Sequence, residues 1–235
     1  MRSFTNLSWP DGPYGSEFRP FGKREHLLTA VAVDWTYTPE TVPVSVSVVY
    51  LRVRPATKLD VDERSLTIGF HTTAIEAGHE TQVQLAHLDK VLIGARRHAT
   101  ILASHRFQDD LTQALKLTDH RLPGVQGVSE AWTDRQAKGR GIAHMVDTCL
   151  DVPDSERPEL HVSLDPLLIV DDGQMGYDLA AVIAVRSLAR CLAIGLTAAV
   201  HTGRFRWTGT FSAQSAVAEN AWDVFDMAAC PTPTH

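Results

Sequence analysis

Acidic side chains at the ends of apolar runs are the residues of this chain best placed to do chemistry. Asp34 closes the run AVAVDWT, and Asp147-Thr148 closes AHMVDT. His105, Asp109 and Asp110 fall in ATILASHRFQDDL, a strand running into a helix start. Clustered carboxylates suit phosphoryl transfer, in which two divalent ions about 4 Å apart stabilise the attacking and leaving oxygens. Each Mg²⁺ keeps several waters and takes one or two carboxylates. The same residues also have plainer roles. Asp34 suits a turn cap, and Asp109 and Asp110 suit the positive end of a helix, worth under about 1 kcal/mol each. His105 fits a core-edge position bonded to backbone, and Asp147-Thr148 reads as a structural strand-end pair.

Two later segments, SLARCLAIGL and ENAWDVFDMA, complete an ordered set. In this order the set resembles the RNase H-like 3′–5′ exonucleases that carry four acidic residues, over roughly residues 27–228. That family supplies Asp-x-Glu at the end of its first strand, an Asp at the start of the helix after its fourth strand, and a final Asp on its last helix. In one subfamily a His five residues before that final Asp is the general base. Laid on this chain, Asp34 matches the first Asp, and Asp110 the second, with His105 five residues before it. Thr36 stands at the Glu position, Asn220 at the final Asp and Ser215 at the His. A register shift of one residue places Glu219 and Gln214 there instead.

The resemblance implies an α/β fold with an RNase H-like mixed sheet, an antiparallel three-strand half followed by helix-flanked strands. It implies a metal-dependent phosphodiester hydrolase with Mg²⁺ or Mn²⁺ held by Asp34 and Asp110, or a derivative holding none. Two acids against the +4 of two divalent ions raise the cost of holding both. The expectation is therefore an exonuclease-like protein with weak or lost nuclease activity, a pseudoenzyme. The alternatives are a non-catalytic module for nucleic acid or protein, or a pocket repurposed for a small nucleotide-like or phosphorylated metabolite. A homo-oligomer is a further expectation.

Concentrated cations occur at Arg135, Lys138 and Arg140 and at Arg204 and Arg206, the latter interleaved with Phe205 and Trp207. If the chain holds the 3′ end of a single strand, these should line a groove beside the acids. Phosphate contacts would release counterions, and Trp207 would stack on a base. A surface loop with one buried Trp is the plain alternative.

The elements that must position these residues follow from periodicity. Residues 1–25, rich in Pro, Gly and aromatics (Trp9, Tyr14, Phe18, Phe21), read as an irregular arm. Leu27–Val33, Val44–Val53 and Leu66–Thr72 read as an antiparallel meander. Helical spacing covers Glu80–Arg97, a strand covers Ala99–Ala103, and a helix begins at Gln108. Pro123–Gly141 reads as a loop because of its glycines. A strand covers Ile142–Val146, and helices cover Tyr177–Leu196 and Ala213–Ala229, with Gly203–Gly209 a loop between them. One domain is expected over residues 26–230, with a frayed tail at 231–235.

Bulk properties narrow the class. The chain has 235 residues, 44% of them hydrophobic and 21% charged, enough to bury a core without staples. Its formal charge of -6 argues against a broad basic surface. Three cysteines without a CxxC pair argue against a disulfide scaffold or zinc ribbon. The 11 histidines show no HExxH spacing. No membrane span and no signal peptide are expected, and the expected compartment is the cytoplasm.

Overall fold

The two longest strands bury both of their faces, and this dictates a layered architecture. In the computed structural model, which describes residues 1–7, 26–36, 41–135, 143–167 and 179–229, they are β2 (His26–Thr36) and β3 (Val42–Val53). Their near-continuous apolar runs match strands covered by helices on either side. Leu28, Ala30 and Ala32 of β2 face α4 (Leu179–His201). Leu27, Val31, Val33 and Trp35 face α1 (Thr81–His98), α2 (Phe107–Lys116) and α3 (Pro123–Thr133).

The sheet has six strands in the order β1-β5-β3-β2-β6-β7. Here β1 is Arg2–Thr5, β5 Ile68–Ala74, β6 Ala99–Ser104 and β7 His144–Asp147. The half from β1 to β2 is antiparallel, and β6 and β7 run parallel to β2. A separate parallel pair joins β4 (Leu59–Asp60) to β8 (Phe205–Arg206). Helix α5 (Ala213–Ala229) packs on α4. The fold is α/β with a mixed sheet.

The meander, both late helices and the order of elements agree with the sequence reading. Three local expectations need correction. Residues 2–5 form an edge strand rather than irregular chain; the four arm aromatics lie outside the described residues. Residues 205–206 pair with β4 inside the expected loop. The largest difference is α3, which occupies much of the stretch read as a glycine-rich loop. Asp89 of α1 accepts the N–H groups of Gly124 and Val125 at 2.7 and 3.0 Å, capping α3 from a neighbouring helix. Pro123 at the first turn has no N–H to satisfy. A Cβ on Gly124 would lie 2.2 Å from the Asp89 carbonyl oxygen. The glycine is there to admit the cap, which no periodicity argument detects.

Helix α4 is long and apolar enough by length and composition alone to cross a membrane. Most of it is buried within the fold, where it serves as the core helix. It runs antiparallel to β2: Arg190 reaches Val33 and Asp34, while Gly195 lies against Ala30, Leu28 and Leu51. A Cβ at Gly195 would approach Ala30 Cβ and Leu51 Cδ1 to 3.2 Å. Gly195→Val adds two methyls beyond that Cβ. The gain in helix propensity is a few tenths of a kcal/mol, while overpacking costs about 1–3 kcal/mol. Chemical denaturation should therefore show Gly195→Val destabilised by about 1–3 kcal/mol, with an unchanged denaturant slope.

Candidate functional site

Asp34 lies at the carboxyl end of β2, fully buried beneath α4. Arg190 of α4 reaches it from above, and Ser187, three residues earlier on the same face, reaches the Ser45 hydroxyl beside it. Arg190 donates from Nη1 to Asp34 Oδ1 at 2.9 Å and to the Val33 carbonyl at 3.2 Å. Its Nε donates to the Leu164 carbonyl at 2.8 Å. Both ends of this ion pair are 0% exposed. Asp34 Oδ1 also accepts the Leu167 N–H at 3.0 Å. Asp34 Oδ2 accepts the Ser45 hydroxyl at 3.0 Å.

A chain of hydroxyls continues from there. Ser45 Oγ lies 2.6 Å from Ser187 Oγ, and Ser47 donates to Ser187 at 2.8 Å. Because the single Ser45 proton is on Asp34, Ser187 supplies the proton to Ser45. Each hydroxyl donates once, and the carboxylate ends the chain. The sequence signal for this arrangement was the arginine inside the apolar run SLARCLAIGL. A buried guanidinium requires a carboxylate partner, and β2 provides one.

Asp110 sits in the first turn of α2, on the opposite face of the sheet. Trp35, next to Asp34 across a β-bulge, donates its indole N–H to Asp110 Oδ1 at 2.7 Å. Burial pushes the Asp110 carboxyl up to about 8, against the opposing pull of Arg190 and the Trp35 hydrogen bond. At neutral pH it is mainly protonated.

His105 follows β6 and is buried. Its tautomer is set by its neighbours. Thr148 donates to the Ser104 carbonyl at 3.2 Å, so its oxygen accepts from His105 Nδ1 at 2.9 Å. The lone pair is left on Nε2, which is 3.6 Å from Asp165 Oδ1. Burial first, and the Arg190 charge second, hold the imidazole below its ordinary pKa. Asp147 is structural: its carboxylate accepts the Arg106 and Cys149 N–H groups at 3.1 and 3.0 Å and the Trp132 indole at 3.3 Å.

Beside this polar core a cleft of about 380 Å³ opens at the carboxyl ends of β6 and β7. Its walls include His105, Arg106, Cys149, Arg157, His161 and Asp165. Sequence reading passed over Arg157, His161 and Asp165, which lie in a proline-containing stretch without periodicity.

The other expected site residues lie elsewhere. Thr36 ends β2, half-buried. Asn220 clamps the start of β5, donating to the Leu66 carbonyl at 3.0 Å and accepting the Ile68 N–H at 3.2 Å. Ile68 pairs with Leu51, and Leu51 with Leu28. Six residues of strand at about 3.3 Å each separate Leu28 from Asp34, roughly 20 Å in all. Ser215 and Glu219 share α5 with Asn220 and are exposed, so the late acidic motif does not meet Asp34.

Nor do the cations form one groove. Arg135 is clasped in a bidentate pair by Asp151 at 2.9 Å. Arg206 makes a bidentate pair with Asp60 at 2.6 and 2.9 Å. Arg204 donates to the Arg54 and Pro55 carbonyls. Trp207 packs on Phe211. These last three follow the C-terminus of α4, at the end of the sheet away from Asp34. Lys138 and Arg140 lie outside the described residues. Cys191 is a core thiol whose pKa burial pushes up.

Comparison of the chain with protein-family models, with curated proteins and with solved structures finds no match.

Two outcomes test this account. Removing one member of a buried pair strands the other charge and costs about 3–5 kcal/mol. Asp34→Leu and Arg190→Met should each lose about that much in urea denaturation. The double variant should lose much less than the sum, and additivity would refute the pairing. For Asp110 the folded pKa is raised, so its contribution to stability is fully present below about 4 and is lost as pH rises through about 8. Asp110→Asn should therefore gain on the native chain as pH rises from 5 to 9.

Proposed function

We propose that this chain is a non-catalytic derivative of an RNase H-like exonuclease architecture, in which the Arg190 guanidinium stands in for the metal ions. The Arg190–Asp34 pair carries the reading: at 2.9 Å and with neither group exposed, the cation is built into the protein. The strand order, with its antiparallel half joined to β6 and β7 parallel to β2, supports the architecture.

The donor set does not fit a pair of Mg²⁺ ions. Asp34 has both oxygens engaged by Arg190, Ser45 and Leu167. Asp110 faces Trp35 and is largely protonated at neutral pH. Mg²⁺ needs ionised oxygen ligands and room for its waters, and Asn220, Ser215 and Glu219 bring no further ligand to Asp34. The second proposed property is binding rather than hydrolysis. A net charge of -6 favours a small ligand or a protein over a long polyanion.

The test combines calorimetry with a nuclease assay. The chain should give no Mn²⁺ binding isotherm at millimolar metal. It should also leave 5′-labelled single-stranded DNA and RNA intact with Mg²⁺ or Mn²⁺. Digestion that vanishes in Asp34→Ala would overturn the proposal.

A further inference from the structure

We infer that the cleft at the carboxyl ends of β6 and β7 binds a small phosphomonoester, held by Arg106 and Arg157 at its phosphate and by His105 Nε2 and Asp165 at a hydroxyl. The inference rests on the reading that Arg190 closes the neighbouring centre to metal, since the phosphate must then be met by protein groups alone.

Position comes first. In open α/β sheets ligands occupy the crevice outside the carboxyl ends of the strands, where strand order reverses. Here the order reverses at β2, with β3 and β5 on one side and β6 and β7 on the other, and the cleft opens at the carboxyl ends of the strands next to that reversal. Arg106 and Cys149 follow β6 and β7 at that end and line the cleft. Its volume of about 380 Å³ falls within the range of small-molecule sites, roughly 300–1,000 Å³.

Unmatched polar groups come second. Arg157 uses Nη2 on the Cys149 carbonyl at 3.1 Å and Nη1 on Asp154 at 2.5 Å. Its Nε is buried without a partner and is not open to the cleft, so what Arg157 offers a ligand is its positive charge. Arg106 meets the Cys149 thiol and lies 3.8 Å from Asp165, with its side chain 57% exposed. His105 Nε2 carries a lone pair and faces a carboxylate that cannot donate to it. The cleft thus presents cationic donors and, beside them, acceptors. A phosphate group satisfies the first and a hydroxyl the second.

Backbone conformation comes third. Arg106 and His161, at φ 56 and 57, are the non-glycine residues with positive φ among the described residues, and both line this cleft. Left-handed backbone at such residues is strained and collects at ligand sites. At Arg106 the Asp147 carboxylate fixes it by accepting the backbone N–H. The cleft's volume of about 380 Å³ and the net charge of -6 suit a single phosphomonoester better than a strand of nucleic acid.

The experiment is calorimetry in EDTA with ribose 5-phosphate, inorganic phosphate and sulfate. Arg106→Gly keeps the left-handed backbone and removes the charge, and Arg157→Gln keeps a donor and removes the charge. Ribose 5-phosphate should bind and outcompete inorganic phosphate, and each variant should weaken it about tenfold or more. His105→Gln should weaken the sugar phosphate more than inorganic phosphate, which a merely structural loss would not do. Equal binding of phosphate and sulfate with no sugar preference would overturn the ligand assignment. Binding unchanged in both arginine variants would overturn the site, as would no binding at all. Binding that appears only when Mn²⁺ replaces EDTA would overturn the inference by way of the metal-free reading on which it rests.

Discussion

A fully buried ion pair between Arg190 and Asp34 is the constraint around which the carboxyl end of the sheet is arranged. Taking both charges out of water costs several kcal/mol per ion, and mutual attraction recovers this only when the remaining donors and acceptors are satisfied. The chain meets that requirement, except at Arg190 Nη2, which is buried without a hydrogen-bond partner, from several separate segments. Strand β2 gives Asp34 and the Val33 carbonyl, β3 gives Ser45, and the segment before residue 168 gives the Leu164 carbonyl and the Leu167 N–H. None of these segments can shift without exposing a charge to an apolar interior. The pair therefore fixes the axial position of α4 on the sheet, and the apolar contacts of Gly195 and its neighbours follow from that register.

The same guanidinium governs the chemistry of its neighbours. Its field pulls Asp110 and His105 in the same direction, easing ionisation of the acid and hindering protonation of the base. For Asp110 burial is the larger effect and the carboxyl stays mostly neutral, a suitable partner for the Trp35 indole. For His105 burial and charge act together, so the imidazole is neutral with its lone pair on the side of the cleft. An arginine differs from a divalent ion in ways that matter here. It is tethered, it always bears a charge, and it brings no exchangeable water to serve as nucleophile.

Periodicity made the frame legible. Strands β2, β3, β5 and β6 and helices α1, α4 and α5 have patterns strong enough to be read directly, because each buries a continuous face. Asp34 at the end of β2 and Asp110 in the first turn of α2 could be placed for the same reason. What the sequence hid was determined by partners distant along the chain. The cap on α3 comes from Asp89, some 35 residues earlier. Asn220 could not be assigned from local pattern, because its amide serves the start of β5. The cations at Arg135 and Arg206 looked free in sequence, yet Asp151 and Asp60 hold them in two-pronged pairs. Arg190 was visible as an oddity in an apolar helix, but its partner was known only once β2 lay beneath it.

The segment from Arg157 to Leu167 links the closed centre and the open cleft. It supplies Arg157, His161 and Asp165 to the cleft wall, and Leu164 and Leu167 to the ion pair. It has no regular secondary structure, so it is held in place by tertiary contacts rather than by a backbone ladder. Were Arg190 replaced by a hydrated metal, the Leu164 carbonyl would lose its donor and this wall would lose one of its anchors. The cation that closes the centre therefore also holds the floor of the cleft beside it. On the proposed reading, closure at β2 and binding at β6 and β7 are parts of one arrangement: the buried charge is tolerated because it orders a surface that faces solvent.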